Sequence, residues 1–333
     1  MMKQNFGILP LISAIVLTFA SCSEKFITTD GSAWATTYHI VYSGGRDLSD
    51  SIEAQIVLVD NELSMFNPAS AVSAVNAGLT DTVDFYFRAV FDCAAEVSAL
   101  SDGRYDPTVA PLVDLWGFGR TDKAAAPSDS LIGAVLKSIG IADCSIDASG
   151  ALVRKSPETD FDFSSLAKGF GVDCVADMLE RNGCSDYMVE IGGEIRVRGT
   201  NPRGEKWRIQ IDDPRQGTVH SRYTVLPLGP ERTAVATSGN YRNYRADSAG
   251  NIYGHTISPI EGRPIATEVL SATVVAPSCM LADALATACM TGSASQAEAL
   301  IVNAGAAAML IVAESGDDIS TKKIGCLTTT ENP

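Results

Sequence analysis

Segments with a strand pattern and segments with a helix pattern follow one another along this chain in no regular order. A strict alternation of strand, helix and strand would indicate a doubly wound parallel sheet. Its absence favours an α+β fold, in which strands and helices are not interleaved in that way. No linker-like stretch interrupts the pattern, so we predict a single unit with two lobes.

The predicted elements follow from two periodicities. Alternating or β-branched segments predict strands, and apolar residues repeating every three to four positions predict helices. Strands are predicted at residues 34–42, 187–191, 195–197, 207–211, 269–275 and 308–312. Helices are predicted at residues 50–63, 84–100, 128–139, 165–182, 282–290 and 297–303.

The N-terminus has the composition of an export signal. Lys3 precedes an apolar run, residues 6–20, that is too short for a comfortable membrane span. Small residues then precede Cys22, as at a lipoprotein processing site. We therefore predict a signal peptide at 1–21, a lipidated Cys22, a tether at 22–30 and a folded domain at 31–333. The protein would be exported and anchored to a bacterial membrane, facing the periplasm; an ordinary secretion signal cut near Ala20 is the alternative.

The net charge of −15 restricts the possible ligands. Non-specific nucleic-acid binding needs a basic surface, so we predict no nucleic-acid partner. A phosphorylated ligand would meet an unfavourable average field and would need a metal or local cations. The acidity also has a simpler interpretation, since it keeps a protein soluble.

The cysteines do not indicate a zinc site. Seven remain besides Cys22, with no Cys-x-x-Cys pair and no cysteine–histidine cluster. Their odd number and apolar surroundings favour small core residues, so no disulfide framework is predicted.

The first candidate site residues lie at the start of the longest predicted helix. Asp162 and Ser165 stand where free backbone N–H groups and the helix dipole favour anions, and Lys168 follows one turn later. Gly169 and Gly171 each cost about 1 kcal/mol relative to alanine. The helix therefore needs close approach by a ligand or by another backbone, and the spacing leaves both possibilities open.

A second candidate pair, Asp283 and Thr287, lies four residues apart on one helix face lined by alanines. A carboxylate and a hydroxyl are hard oxygen ligands of the kind that Mg²⁺ binds. In isolation, a solvated aspartate and a threonine bonded to its own backbone explain the pair better.

His255 is one of only three histidines, within the segment His-Thr-Ile-Ser-Pro. A histidine can take a proton from a hydroxyl nucleophile near neutral pH. A structural role in a strand–turn segment is the alternative.

Glycine-rich segments complete the pattern at residues 116–119, 190–194 and 237–239. Glycines beside aromatic residues suit a flat ring system lying against the backbone. Neither common nucleotide-binding fingerprint is present.

In this order, the motifs resemble the ApbE-type family of FAD:protein FMN transferases over residues 31–290. The resemblance implies an α+β unit of mixed, largely antiparallel sheets with packed helices. It implies Mg²⁺ ligands and FAD contacts, with His255 as our candidate base. The implied metal ligands are Ser165, Asp283 and Thr287. The implied FAD contacts are Trp34, Phe66, Trp116, Gly117, Phe118, Asp162, Lys168, Gly192, Gly193, Thr237, Ser238, Gly239 and Ile257. Trp34 departs from the methionine of many relatives, and Ser258 from their acid or amide.

The resemblance also implies a reaction. FMN would pass from FAD to a threonine hydroxyl of an exported redox protein, and AMP would leave. Two alternatives remain open: an FAD pyrophosphatase that yields FMN and AMP, and a non-catalytic flavin-binding lipoprotein.

Overall fold

The computed structural model describes residues 25–120, 126–216, 221–239, 244–246, 252–254, 256–315, 318–327 and 329. The predictions on the signal peptide, Cys22 and His255 concern residues outside these ranges.

The α-helices in the described residues are α1 (Ser49–Leu63), α2 (Ala71–Asn76), α3 (Phe85–Leu100), α4 (Ala110–Leu115), α5 (Asp129–Val135), α6 (Ala167–Arg181), α7 (Cys279–Cys289) and α8 (Ala294–Asn303). The strands there are β1 (Phe26–Ala33), β2 (Thr36–Ser43), β3 (Ser145–Ile146), β4 (Leu152–Val153), β5 (Tyr187–Ile191), β6 (Glu194–Arg198), β7 (Trp207–Asp212), β8 (Arg222–Leu228), β9 (Thr233–Gly239), β10 (Tyr244–Ala246), β11 (Ile252–Gly254), β12 (Val269–Ala276), β13 (Ala307–Ala313) and β14 (Ile319–Ile324).

Within this part of the chain, eight strands form one sheet in the order β1-β2-β5-β6-β9-β12-β13-β14. Every neighbouring pair in it is antiparallel. Three further antiparallel pairs, β3–β4, β7–β8 and β10–β11, stand beside it. The predicted α+β class with largely antiparallel sheets is confirmed.

The two faces of the sheet pack against different partners. On β2, Ile40 and Tyr42 pack with apolar residues of α1 and α6, such as Ile52 and Val175. The intervening Val41 belongs to a cluster on the opposite face that contains the apolar side of the β7–β8 hairpin. Alternate strand residues point to opposite faces, so the helices cover one face and the hairpin the other.

Helices α6 and α7 approach each other closely at the first turn of α6. A Cβ atom at Gly169 would lie 2.4 Å from the carbonyl oxygen of Cys279 and 2.9 Å from Cβ of Asp283. Two residues further on, a Cβ atom at Gly171 would lie 2.2 Å from the indole of Trp34. The two glycines of the predicted helix therefore allow a backbone and a large ring to pack against it.

We predict that Gly169→Ala destabilises the protein, although alanine is normally the better helix former. The added methyl group would overlap the backbone of Cys279, and overpacking of this kind costs about 1–3 kcal/mol. Gly133 in α5 is the matched control, because no atom lies within 4 Å of a Cβ placed there. Gly133→Ala should stabilise by up to about 1 kcal/mol. Urea unfolding of both variants measures the change in the free energy of unfolding. A change of the same sign in both variants would contradict the prediction.

Several predicted boundaries were wrong, beginning with the N-terminal edge of the sheet. Strand β1 begins at Phe26, so residues 26–30 belong to the sheet and not to the predicted tether. The predicted strand 34–42 begins instead with a two-residue turn, in which Trp34 and Ala35 have φ of 49° and 60°. This turn lacks the asparagine and glycine that usually mark such a conformation, so no sequence pattern indicated it.

Other differences concern the residues around the candidate site. The glycine-rich segment at residues 237–239 forms the end of strand β9, which was not among the predicted strands. Helix α7 begins at Cys279, three residues before the predicted start, because Ser278 caps it by accepting a hydrogen bond from the N–H of Leu281. No helix in the part of the chain that the structure describes is long and apolar enough to span a bilayer. The seven cysteines in that part are free thiols.

Candidate active site

A cavity of about 970 Å³ opens where β6, β9, α6 and α7 meet, and β7 borders it. This volume is in the range of cofactor sites. Most of the predicted site residues line it: Phe66, Phe118, Asp162, Ser165, Lys168, Gly192, Gly193, Thr237, Ser238, Gly239, Ile257, Asp283 and Thr287. The fold therefore brings together residues that are up to 221 positions apart (Phe66 and Thr287).

The segment before α6 is held in place by hydrogen bonds. Oδ1 of Asp162 accepts a hydrogen bond from the N–H of Ser164 at 2.8 Å, and the Asp162 N–H donates to the carbonyl of Pro107 at 2.7 Å. The hydroxyls of Ser165 and Tyr105 lie 2.9 Å apart. Burial raises the pKa of Tyr105 well above its usual value, so this phenol stays protonated. Ser165 is thereby oriented at the edge of the cavity.

Three charged groups meet on the cavity floor. Lys168 Nζ lies 2.7 Å from Oε1 of Glu194, and Asp283 Oδ2 accepts a hydrogen bond from the N–H of Gly169 at 3.0 Å. Burial, and then the charge of Glu194, raise the pKa of Asp283 well above its usual value. Burial would lower the pKa of Lys168, but Glu194 and Asp283 outweigh it and raise that pKa. The cluster therefore favours an added positive charge.

Helix α7 places Asp283 and Thr287 on one face, one turn apart, as the spacing predicted. Oγ of Ser238, at the end of β9, lies 3.3 Å from Oγ1 of Thr287. The neighbouring Thr237 lies 2.9 Å from Thr273 through their hydroxyls. The wall beside Asp283 is thus lined with hydroxyl oxygens.

The start of α7 is fixed by a residue that our sequence analysis did not select. The buried carboxylate of Asp173, in α6, accepts hydrogen bonds from the N–H groups of Cys279 at 3.0 Å and Met280 at 2.9 Å. Its other partner is the buried Arg196, whose Nη1 lies 2.7 Å from Oδ1. Asp173 therefore caps the helix that carries Asp283 and joins it to α6 and β6.

The oxygens around Asp283 fit a magnesium ion. Asp283, Ser165 and Thr287 offer a carboxylate and two hydroxyls, the hard oxygen donors that Mg²⁺ prefers. The structure groups no three or more His, Cys, Asp or Glu side chains as a metal site among the residues it describes. Mg²⁺ commonly has few protein carboxylates and completes its shell with water and substrate phosphates, so one carboxylate with hydroxyls suffices.

A glycine turn between β5 and β6 also lines the cavity. Gly192 and Gly193 have φ of 66° and 98°, a region that glycine adopts without strain. The Gly193 N–H donates to Oε1 of Glu190 at 2.7 Å. A Cβ atom at Gly192 would lie 2.8 Å from Cγ2 of Thr36, so only glycine leaves this surface flat.

Three predicted FAD contacts, Trp34, Trp116 and Gly117, are not among the residues that line the cavity. Trp34 packs against Gly171 of α6, and Gly117 follows the buried Trp116. Trp116 Nε1 donates to the carbonyl of Gly262 at 2.8 Å and packs in a cluster with Ile257 and Phe118, which do line the cavity. Trp116 thus supports two lining residues, and direct contact of these three with FAD stays a prediction.

Further cavity residues were absent from our predicted set. They include Arg104, Tyr105, Glu194 and, on β7, Arg208 and Gln210. The position of Glu194 directly after two glycines was a possible signal. The β7 residues had none, because an exposed polar residue on an alternating strand is the ordinary solvent face.

Comparisons with known proteins identify the family of this chain. Residues 34–311 match the ApbE family. The FAD:protein FMN transferase of Vibrio cholerae is 37% identical, over 81% of this chain and 83% of the relative. That of Escherichia coli K12 is 30% identical over 96% of each.

Solved structures give the same result. The flavin transferase ApbE from Vibrio cholerae superposes with a TM-score of 0.81 at 33% identity, over 90% of this chain and 97% of that one. The apo form of the Pseudomonas stutzeri flavinyl transferase ApbE gives 0.79 at 32% identity, over 90% and 95%. This chain is therefore a member of the ApbE family.

Proposed function

We propose that this protein is a Mg²⁺-dependent FAD:protein FMN transferase that moves FMN from FAD to a threonine hydroxyl of an exported protein and releases AMP. The observation that carries the proposal is the convergence of Asp283, Thr287 and Ser165 beside Lys168 in one cavity. The activity of the relatives, as their names state it, supports the same reaction.

Three basic side chains in the cavity, among six acidic ones, can interact with the phosphates of a dinucleotide. FAD carries two linked phosphates, which the average field of a protein of net charge −15 would repel. Lys168, Arg104 and Arg208 line the cavity and provide local positive charge. When bound at Asp283, Mg²⁺ would supply further neutralisation of the pyrophosphate oxygens.

The chemistry is a phosphoryl transfer. The acceptor oxygen forms a bond to the FMN-side phosphorus, the bond from that phosphorus to the bridging oxygen breaks, and AMP leaves with that oxygen. The acceptor proton passes to a base, for which our candidate is His255. In our proposal Lys168, which pairs with Glu194, would hold the phosphates, and the glycine turn at Gly192 would offer a flat surface for a ring.

The candidate base is tested by His255→Ala. Loss of a general base should lower the transfer rate by about 10²- to 10⁴-fold, with FAD affinity little changed. The matched control is His39→Ala, because His39 sits outside the cavity lining and pairs with Asp30 at 2.6 Å. Rates come from AMP release, and a wild-type rate for the His255 variant would place the base elsewhere.

The ratio of covalently bound flavin to released AMP distinguishes a transferase from a hydrolase. A chain that begins at residue 23 keeps all of β1 and can be incubated with FAD, Mg²⁺ and a candidate acceptor domain. One covalent flavin per AMP supports the transferase. AMP release without covalent flavin on any of several candidate acceptor domains supports the hydrolase. Bound FAD without AMP supports the binding protein.

We also propose that the protein is exported and lipid-anchored through Cys22. The sequence around that residue supports the anchor. A Cys22→Ser variant that stayed in the membrane fraction would contradict it.

A further inference from the structure

Glu194 is a buried carboxylate with one oxygen engaged and one oxygen free. The residue is 4% exposed and stands first in β6, immediately after the Gly192–Gly193 turn. Oε1 pairs with Lys168 Nζ at 2.7 Å. Oε2 is buried and has no hydrogen-bond partner among the residues that the structure describes, although the side chain lines the cavity. A buried carboxylate oxygen without a donor is costly, so this one calls for a partner.

The turn before Glu194 controls how closely other atoms approach Oε2. A Cβ atom at Gly192 would lie 3.3 Å from Oε2 and 2.8 Å from Thr36. Any larger residue at position 192 would therefore crowd this oxygen, and glycine leaves that side of it without a side chain. Burial raises the pKa of Glu194, and the Lys168 ammonium opposes that rise and fixes the orientation of the carboxylate. The ionised form that Lys168 stabilises only accepts hydrogen bonds.

The chemistry of Oε2 selects which part of the substrate can bind there. A phosphate carries negative charge and no donor at neutral pH, so it cannot satisfy a carboxylate oxygen. FAD has neutral donors in its riboflavin part, namely a ring N–H and ribityl hydroxyls. Its adenosine part has an amino group and ribose hydroxyls. All of these share one chemistry, a neutral N–H or O–H donor.

We propose that Glu194 contacts the substrate directly, with Oε2 accepting a hydrogen bond from a neutral N–H or O–H group of FAD. The inference rests on the proposed use of FAD. It differs from a role in which Glu194 only holds Lys168 against the phosphates. Ligands that lack phosphate distinguish the two roles, because only a direct contact with Glu194 would affect their binding.

The experiment compares purified wild-type protein with Glu194→Gln. Glutamine keeps the size but is neutral, so it pairs more weakly with Lys168 and with a ligand donor. Dissociation constants are measured for FAD, riboflavin and adenosine by calorimetry. We expect FAD to bind at least about tenfold more weakly, which corresponds to one lost charge-assisted hydrogen bond. Either riboflavin or adenosine should weaken too, and the one affected identifies the source of the donor.

The control is a Glu–Lys pair on the surface. Glu298→Gln removes a pair with Lys322 in which both side chains are at least 40% exposed, and it should leave all three affinities unchanged. If Glu194→Gln weakens FAD alone, Glu194 acts through Lys168 and the proposal is overturned. Unchanged FAD affinity overturns it as well. A protein that binds FAD but transfers nothing would instead contradict the proposed function and leave this inference standing.

A structure of the wild-type FAD complex is a second measurement that does not depend on a variant folding. An N–H or O–H donor atom of FAD within about 3.2 Å of Oε2 is the expected result. An Oε2 that contacts only water or protein would overturn the proposal.

Discussion

Asp283→Ala is expected to lower the rate of AMP release from FAD at saturating Mg²⁺ by at least about a thousandfold. Asp283 is the one carboxylate among the three proposed ligands, and a metal contributes several kcal/mol of charge stabilisation in the transition state. A loss of about 4 kcal/mol corresponds to a thousandfold in rate. The rate is measured over a Mg²⁺ titration, and a full rate at saturation would show that Asp283 does not hold the metal.

The same variant should not unfold. Burial raises the pKa of Asp283, so its ionised form costs folding free energy at neutral pH, and alanine removes that cost. The change also leaves the Gly169 N–H without its acceptor, so we expect the metal-free stability to stay close to that of the wild type. Asp129→Ala is the activity control, because Asp129 is 88% exposed in α5 and pairs with the exposed Arg263. A normal rate there, with loss at Asp283, separates the metal site from a general charge effect.

Asp173→Ala is expected to cost about 3–5 kcal/mol in the free energy of unfolding. The change leaves the buried guanidinium of Arg196 without its closest partner, and breaking a buried pair in this way is strongly destabilising. It also leaves the N–H groups of Cys279 and Met280 without their acceptor at the start of α7. Urea unfolding followed by circular dichroism measures the loss.

Asp213→Ala is the matched control for this prediction. Asp213 is also largely buried and pairs with Arg215 at 2.7 Å, but the arginine is 47% exposed. Water can solvate that guanidinium after the change, so the cost should be below about 1 kcal/mol. A similar loss in both variants would show that burial of the partner is not the cause.

An element of the fold could be predicted from the sequence where its own residues show a periodic apolar pattern. Helix α1 shows Ile52, Ile56, Val59 and Leu63 at helical spacing, and all four are buried. Strand β1 has no such signal, since it is largely polar and lies at the edge of the sheet with alternating exposure. The order of the strands could not be predicted, because it depends on pairings such as β2 with β5 between distant segments.

The same distinction applies to the site. Asp283 and Thr287 share a helix face through their spacing alone, so sequence predicts their proximity. The roles of Asp173 and Glu194 depend on tertiary contacts. Asp173 contacts Cys279, which lies 106 positions away in the sequence, and Glu194 contacts Lys168, which lies 26 positions away. Asp173 has no local pattern that distinguishes it from a solvated acid. The two glycines before Glu194 indicate a turn, but they do not indicate its pairing with Lys168.

The central claim is tested most directly by the mass of the acceptor. A candidate acceptor domain is incubated with this protein, FAD and Mg²⁺, and its intact mass and flavin-bearing residue are determined. Our account predicts a gain of one FMN phosphoester on a threonine, in equal amount to the AMP released, with neither product when Mg²⁺ is chelated. AMP release with no mass gain on any acceptor of this class, or bound FAD that is never cleaved, would contradict it.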